Sequence, residues 1–325
     1  MIERLDIKNF KSIKHLTLNC KRLNLFIGEP NTGKSNILEA IGLLSHAFHG
    51  KIGSFVRFEN MRDLFYDHNL ENILEVRLDE GENTYSLRIK FKDGIFVGSH
   101  FEGNIGHVVF SYDYSGGDMG GRHLVRELNF FKFYRFAVKK NFPDHRSEFL
   151  LPPDGNNLLS IILVNKKLRT LLKQLFDHFE LRLVLEPEEG KIKVQKQLED
   201  IIVSFPYSLV SDTLQRLVFY LTAIHSNQNS TLAFEEPEAH AFPYHTKYLA
   251  ETIALDKNKN QYFISTHNPY FLLSMLEKTP KDDIGVFYTR LENYQTKVKA
   301  LTEKNIEDVL EKGIDLFFNI ERFLG

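Results

Sequence analysis

Residues 28–35, Gly-Glu-Pro-Asn-Thr-Gly-Lys-Ser, fit the pattern G-x-x-x-x-G-K-[ST] at every position. The flanks fit as well. The apolar run Leu-Asn-Leu-Phe-Ile at 23–27 reads as a strand entering Gly28. From Asn36 to about Phe48, Ile37, Leu38, Ile41, Leu44, Ala47 and Phe48 recur at helical spacing. A strand and a helix are therefore joined by a loop that must curl its N–H groups around one anion, and Gly28 and Gly33 relieve the steric limits on that curl. The helix start adds unpaired donors and a favourable dipole. Asn31, Thr32, Gly33 and Asn36 belong to this cradle. Lys34 is expected between the β- and γ-phosphates of a nucleoside triphosphate, and the Ser35 hydroxyl on a Mg²⁺ ion.

Two apolar strands end in chemistry that suits such a loop. Ser-Thr-Leu-Ala-Phe-Glu-Glu at 230–236 places Glu235 and Glu236 together after an apolar run. Adjacent acids at that position are costly without a cation. Glu235 is expected beside the metal, or holding a metal-bound water. Glu236, on the opposite side of the strand end, is expected to polarise an attacking water. Residues 260–267 end in Ser265, Thr266 and His267. If the two strands are parallel to 23–27, all three carboxyl ends share one edge and His267 reaches the γ-phosphate or the water. A zinc hydrolase is excluded by the lack of H-E-x-x-H or a Cys/His cluster, and G-x-S-x-G is absent.

In 325 residues, 42% are apolar and 26% charged, which supports a sizeable core. The net charge of −2 excludes a general basic field for nucleic acid but leaves room for a local patch, for which Lys139, Lys140, Arg146, Lys166, Lys167 and Arg169 are the candidates. The single cysteine, Cys20, excludes an intrachain disulfide and a thiolate-rich metal site. Residues 1–16 are charged where a signal peptide needs an apolar run, and no stretch of about 18 apolar residues occurs. A cytoplasmic chain that does not engage the membrane is expected. Hairpins are predicted within 71–98 and 181–197, one helix over 157–179 capped by Asn156 or Asn157, helices at 210–224, 242–256, 269–277 and 302–312, a strand pair at 284–300, and a closing apolar segment at 314–324.

Together these motifs resemble a compact ABC-type ATPase head of the RecF, SMC and OLD group, often described as AAA-family ATP-binding proteins. The opening Ile-Glu-Arg-Leu-Asp-Ile-Lys-Asn-Phe-Lys is similar to that group's start, 28–41 to its Walker A and helix, 232–243 to its Walker B, catalytic glutamate and D-loop, and 264–269 to its switch histidine. The resemblance implies an α/β P-loop fold: a mixed central sheet, an antiparallel β-rich part and an inserted helical lobe. The whole of 1–325 is expected to be one head, with 1–130 and 205–300 as nucleotide-binding core and 131–204 as the lobe. It implies ATP and Mg²⁺ as cofactors, Glu236, His267 and Lys34 as catalytic residues, and Ser35 and Glu235 as metal ligands. A signature segment around Ser211 is implied to meet ATP held by a second copy, so that the head forms a homodimer on ATP binding; Thr213 stands there where glycine is usual. No glutamine lies between the phosphate loop and residue 173, so the group's usual Q-loop amide is missing or replaced. Long coiled coils and a C-terminal nuclease domain are not expected. The head is thus expected to act on DNA or on a separate effector protein, in DNA maintenance or anti-phage defence. A nucleotide-gated assembly module with very slow hydrolysis is the alternative; a transporter subunit fits the motifs less well.

Overall fold

The computed structural model of the chain describes residues 1–103, 105–120, 125–312 and 316–319. They form two units: Met1–Phe133, Ser230–Glu236 and Gln261–Gly325 in the first, Tyr134–Asn229 and Pro237–Asn260 in the second.

The first unit holds two six-stranded sheets. One is antiparallel throughout, in the order Ile13–Asn19, Arg4–Phe10, Leu74–Glu80, Asn83–Lys92, Ile95–Glu102, Ile105–Tyr112. Leu5 faces Leu78 and Ile7 faces Val76 in register, and all four are buried, so alternation along each strand selects the covered face. The expected hairpin within 71–98 is thus the middle of a larger sheet.

The other sheet runs Gln295–Ala300, Ile284–Glu292, Leu23–Ile27, Gln261–Ser265, Thr231–Glu235, Phe131–Tyr134. Its four middle strands are parallel neighbours. Every residue of Leu23–Ile27 and Gln261–Ser265 is buried, the pattern of strands covered on both faces. The helix Lys34–His49 packs on strands of both sheets and buries Ile37, Leu38, Ile41 and Leu44. Its entry from Leu23–Ile27 sets the phosphate loop at the carboxyl edge of the parallel strands.

The second unit packs the helices Leu158–Val164, Lys166–Asp177, Asp212–Ser226 and Pro243–Ala254, and carries an antiparallel sheet in the order Ile201–Pro206, Lys191–Leu198, Arg182–Glu186. The helix expected over 157–179 is two helices. Asn165 adopts extended backbone angles, and its Oδ1 accepts from Leu168 N at 3.0 Å, capping the second. Asn157 stands before the first helix without capping it. Its amide accepts from Leu151 N and donates to the Arg146 and Phe149 carbonyls, all at 2.8 Å, and so ties down the preceding loop. Asp212–Ser226 and Pro243–Ala254 join this unit because they pack on each other, and the former also on the helices before it. Its borders are therefore wider than 131–204.

No helix among the described residues is long and apolar enough to cross a membrane. Most of the apolar segment at 314–324 lies outside the described residues; Leu316–Asn319 is helical.

Candidate functional site

The phosphate loop lies against the strand pair that follows the parallel core. Gly28 has φ 142° and Gly33 φ 95°. A Cβ on Gly28 would stand 2.2 Å from the Thr289 carbonyl oxygen, and one on Gly33 would stand 1.9 Å from Thr296 Oγ1. Both positions therefore exclude side chains on two counts, backbone region and space. Hydroxyls fix the loop from outside. Thr289 Oγ1 donates to Ile27 O at 3.0 Å and lies 2.8 Å from Thr32 Oγ1. Thr296 Oγ1 donates to Thr32 O at 3.0 Å and lies 2.6 Å from Ser12 Oγ, which accepts from Asn36 Nδ2 at 2.7 Å. Asn31 sits at φ 63°, a region asparagine tolerates.

Lys34 is buried. Its Nζ donates to the Gly28 carbonyl at 2.9 Å and the Glu29 carbonyl at 2.7 Å. Burial draws its pKa down to about 8, against the opposing pull of Glu236 and Glu29. Glu236 holds a positive φ of 43°. For a residue other than glycine that costs roughly 1–3 kcal/mol. Its N–H is shared between the Ser265 carbonyl at 3.1 Å and the Ser265 hydroxyl at 3.3 Å. Its carboxylate lies 3.3 Å from His267 Nε2. Burial, and next the Lys34 charge, hold the His267 pKa below the ordinary histidine value, while Glu236 pulls it up.

Glu235 is engaged by a charged chain. Its Oε1 lies 3.1 Å from Arg57 Nη2, and Arg57 Nε lies 2.6 Å from Oε1 of the fully buried Glu39. Glu39 also accepts from Lys11, whose Nζ donates to the Arg57 carbonyl at 2.7 Å.

A cavity of about 560 Å³ opens over the loop, lined by Ser12, Pro30, Asn31, Thr32, Gly33, Lys34, Ser35, Asn36, Arg57, Glu236, His267, Leu291 and Tyr294. All belong to the first unit. The structure thus brings Asn31–Asn36, Glu236 and His267 together, with Gly28 beneath the loop and Glu235 behind Arg57. Ser211 stands in the second unit. It caps Asp212–Ser226, its Oγ accepting from Leu214 N at 3.4 Å, and it is not a lining residue. Thr213 Oγ1 donates to the His240 carbonyl at 2.7 Å. Among the six candidate DNA-patch residues, Lys139 pairs with Asp154 and Arg146 with Asp144, both at 2.6 Å.

Sequence reading missed Lys11, Ser12, Glu39, Arg57, Thr289, Leu291, Tyr294 and Thr296. The strand pair at 284–300 is evident in its alternation, but nothing in it signals a phosphate loop some 260 residues earlier.

A mixed α/β sheet with a phosphate loop, acids and a histidine at the ends of its parallel strands defines an ABC-type ATPase head. A family model described as AAA ATPase domain matches residues 1–197, more than half of the chain, and the chain belongs to that family. Its similarity to RecF proteins and to Smc heads is partial in sequence and general in fold. The DNA replication and repair protein RecF of Actinobacillus pleuropneumoniae serotype 5b (strain L20) is 32% identical over 92 residues, 28% of this chain and 24% of RecF. The uncharacterized protein MJECL10 of Methanocaldococcus jannaschii is 33% identical over 91 residues, 24% of this chain and 41% of that protein. The chain therefore matches about a quarter of the length of its RecF relatives. An Smc head solved bound to the C-winged helix domain of ScpA superposes with a TM-score of 0.61 at 17% identity, over 94% of this chain and 99% of that one. The Smc head with an extended coiled coil from Pyrococcus furiosus gives 0.58 at 15% identity, over 96% and 98%. At these identities the likeness is one of fold.

Proposed function

We propose that this head hydrolyses ATP with Mg²⁺, using Lys34, Glu236 and His267 around the γ-phosphate, and that ATP drives two copies together head to head. The observation that carries the reading is the 3.3 Å pair of Glu236 and His267 in the same cavity as Lys34. The loop amides and the Lys34 ammonium offset the phosphate charge before the transition state forms. Glu236 takes the proton side of the attacking water. His267 donates a hydrogen bond toward the transferred phosphate.

The residues present fit a magnesium ion. The described residues contain no cluster of three His, Cys, Asp or Glu. Magnesium with ATP needs none, since phosphate oxygens and water fill most of its sphere. Ser35 and Glu235 would hold it, and the ion would supply charge at the β- and γ-oxygens. Glu235, now paired with Arg57, would be shared between that guanidinium and the ion.

The RecF relatives, named as DNA replication and repair proteins, support DNA as what the cycle acts on, and the Smc head solved with ScpA supports a partner protein; DNA maintenance or anti-phage defence is the setting proposed for it. Ser211, exposed at a helix N-terminus, is the residue offered to ATP on a second copy. A second reading, a nucleotide-gated assembly module with very slow hydrolysis, is favoured by Thr213, whose side chain occupies the place where glycine allows closest approach. Steady-state phosphate release from MgATP, with and without duplex DNA, tests both. Hydrolysis that is lost in Lys34→Ala supports the first reading. ATP binding with no turnover above background supports the second.

A further inference from the structure

The cavity over the phosphate loop has two ends. Glu236 and His267 follow strands on one side of Leu23–Ile27, and Leu291 and Tyr294 belong to the strand pair on the other side. A triphosphate whose γ end lies toward Glu236 and His267 must carry its nucleoside toward Leu291 and Tyr294. Those two side chains are the large apolar groups lining the cavity. Tyr294 is 85% exposed and Leu291 43% exposed.

The backbone that presents them is unusual. Glu292 pairs with Gln295, so Asn293 and Tyr294 form a two-residue turn, and both have positive φ, 47° and 61°. Asparagine suits the first position; the second is where glycine is favoured, and a bulky ring there is an outlier. The turn therefore bears local strain while leaving a large aromatic ring in water at the lip of a phosphate cavity. The same strand pair supplies Thr289 and Thr296, which hold the loop itself, so the turn that carries the ring is tied to the phosphate loop.

We infer that Tyr294, with Leu291 beside it, is the platform on which the nucleobase of the bound triphosphate stacks. The inference rests on the ATP reading above and deepens it, assigning base and phosphates to separable groups. An aromatic face suits any base, so the platform contributes affinity for a nucleoside triphosphate over a bare polyphosphate.

The chain has no tryptophan, so Tyr294→Trp creates a single emitter at the site. MgATP is expected to shift or quench its emission, whereas magnesium tripolyphosphate, which lacks a base, leaves it unchanged. Tyr294→Ala is expected to weaken ATP about tenfold, as loss of one stacking contact does, with tripolyphosphate binding unaltered. Tyr294→Phe should bind ATP like the wild type. High exposure keeps these substitutions out of the core. Equal responses of the tryptophan to both ligands, or an Ala variant that binds ATP as tightly as the wild type, would overturn the platform. A wild-type chain that binds tripolyphosphate and ATP equally would overturn it too. A wild-type chain that binds neither would overturn the ATP reading itself, and the platform with it.

Discussion

Lys34 turns its ammonium onto the carbonyls of Gly28 and Glu29, and burial has drawn its pKa down to about 8. A polyphosphate beside it favours the charged form and raises that value. Between the two values binding must take up a proton. Calorimetry of MgATP binding at pH 8.5, in buffers of different ionisation enthalpy, should register proton uptake that is lost in Lys34→Ala. For His267 the sign runs the other way: burial and Lys34 lower its pKa, and Glu236 opposes them. Its ring resonances should titrate below the ordinary value of about 6.5. Removing the opposing carboxylate in Glu236→Gln should move the midpoint lower still, and an upward move would contradict the assigned geometry. Lys34, Glu236 and His267 could be read from sequence because each ends a strand or starts a helix whose pattern is plain. Arg57 and Glu39 could not. Arg57 meets Glu235 across 178 positions, and an arginine in a loop carries no sign of its partner.

At the level of elements, the strand pair Ile284–Glu292 and Gln295–Ala300 is a brace for the phosphate loop. Thr289 and Thr296 reach the loop by hydroxyl bonds and fill the space that a side chain on Gly28 or Gly33 would need. Thr289→Val and Thr296→Val keep the shape and remove the bonds. Each should weaken ATP binding several-fold, since one neutral hydrogen bond contributes about 1 kcal/mol. Gly28→Ala, driven into the Thr289 carbonyl, should abolish binding. In the second unit, Asn165→Ala removes a helix cap and should lower stability to chemical denaturation by about 1 kcal/mol. The break at Asn165 escaped the sequence pattern because apolar spacing continues through it, from Ile161 and Ile162 to Leu168 and Leu172. The strand Ile201–Pro206 escaped for a related reason. Its side chains are exposed or half-buried, so no alternation between core and solvent marks it.

The whole molecule brings distant parts of the chain to one sheet edge: residue 28 after the first core strand, residue 236 after another, residue 267 after a third. That convergence was foreseeable because a parallel sheet aligns carboxyl ends whatever the length of chain between them. The borders of the two units were not, since they depend on which helices pack together rather than on any local signal. The proposed head-to-head closure is tested at this scale. With MgATP, Glu236→Gln should double in mass from 37.9 kDa by light scattering, and Ser211→Arg in that background should stay single. The most direct measurement is the parallel determination of ATP affinity and single-turnover hydrolysis for the wild type and Glu236→Gln. A base that activates water accounts for about 100-fold or more in rate and little in binding. Affinity is therefore expected to hold while turnover falls by at least about 100-fold. Turnover close to wild type in Glu236→Gln would contradict the assignment of this carboxylate to the attacking water.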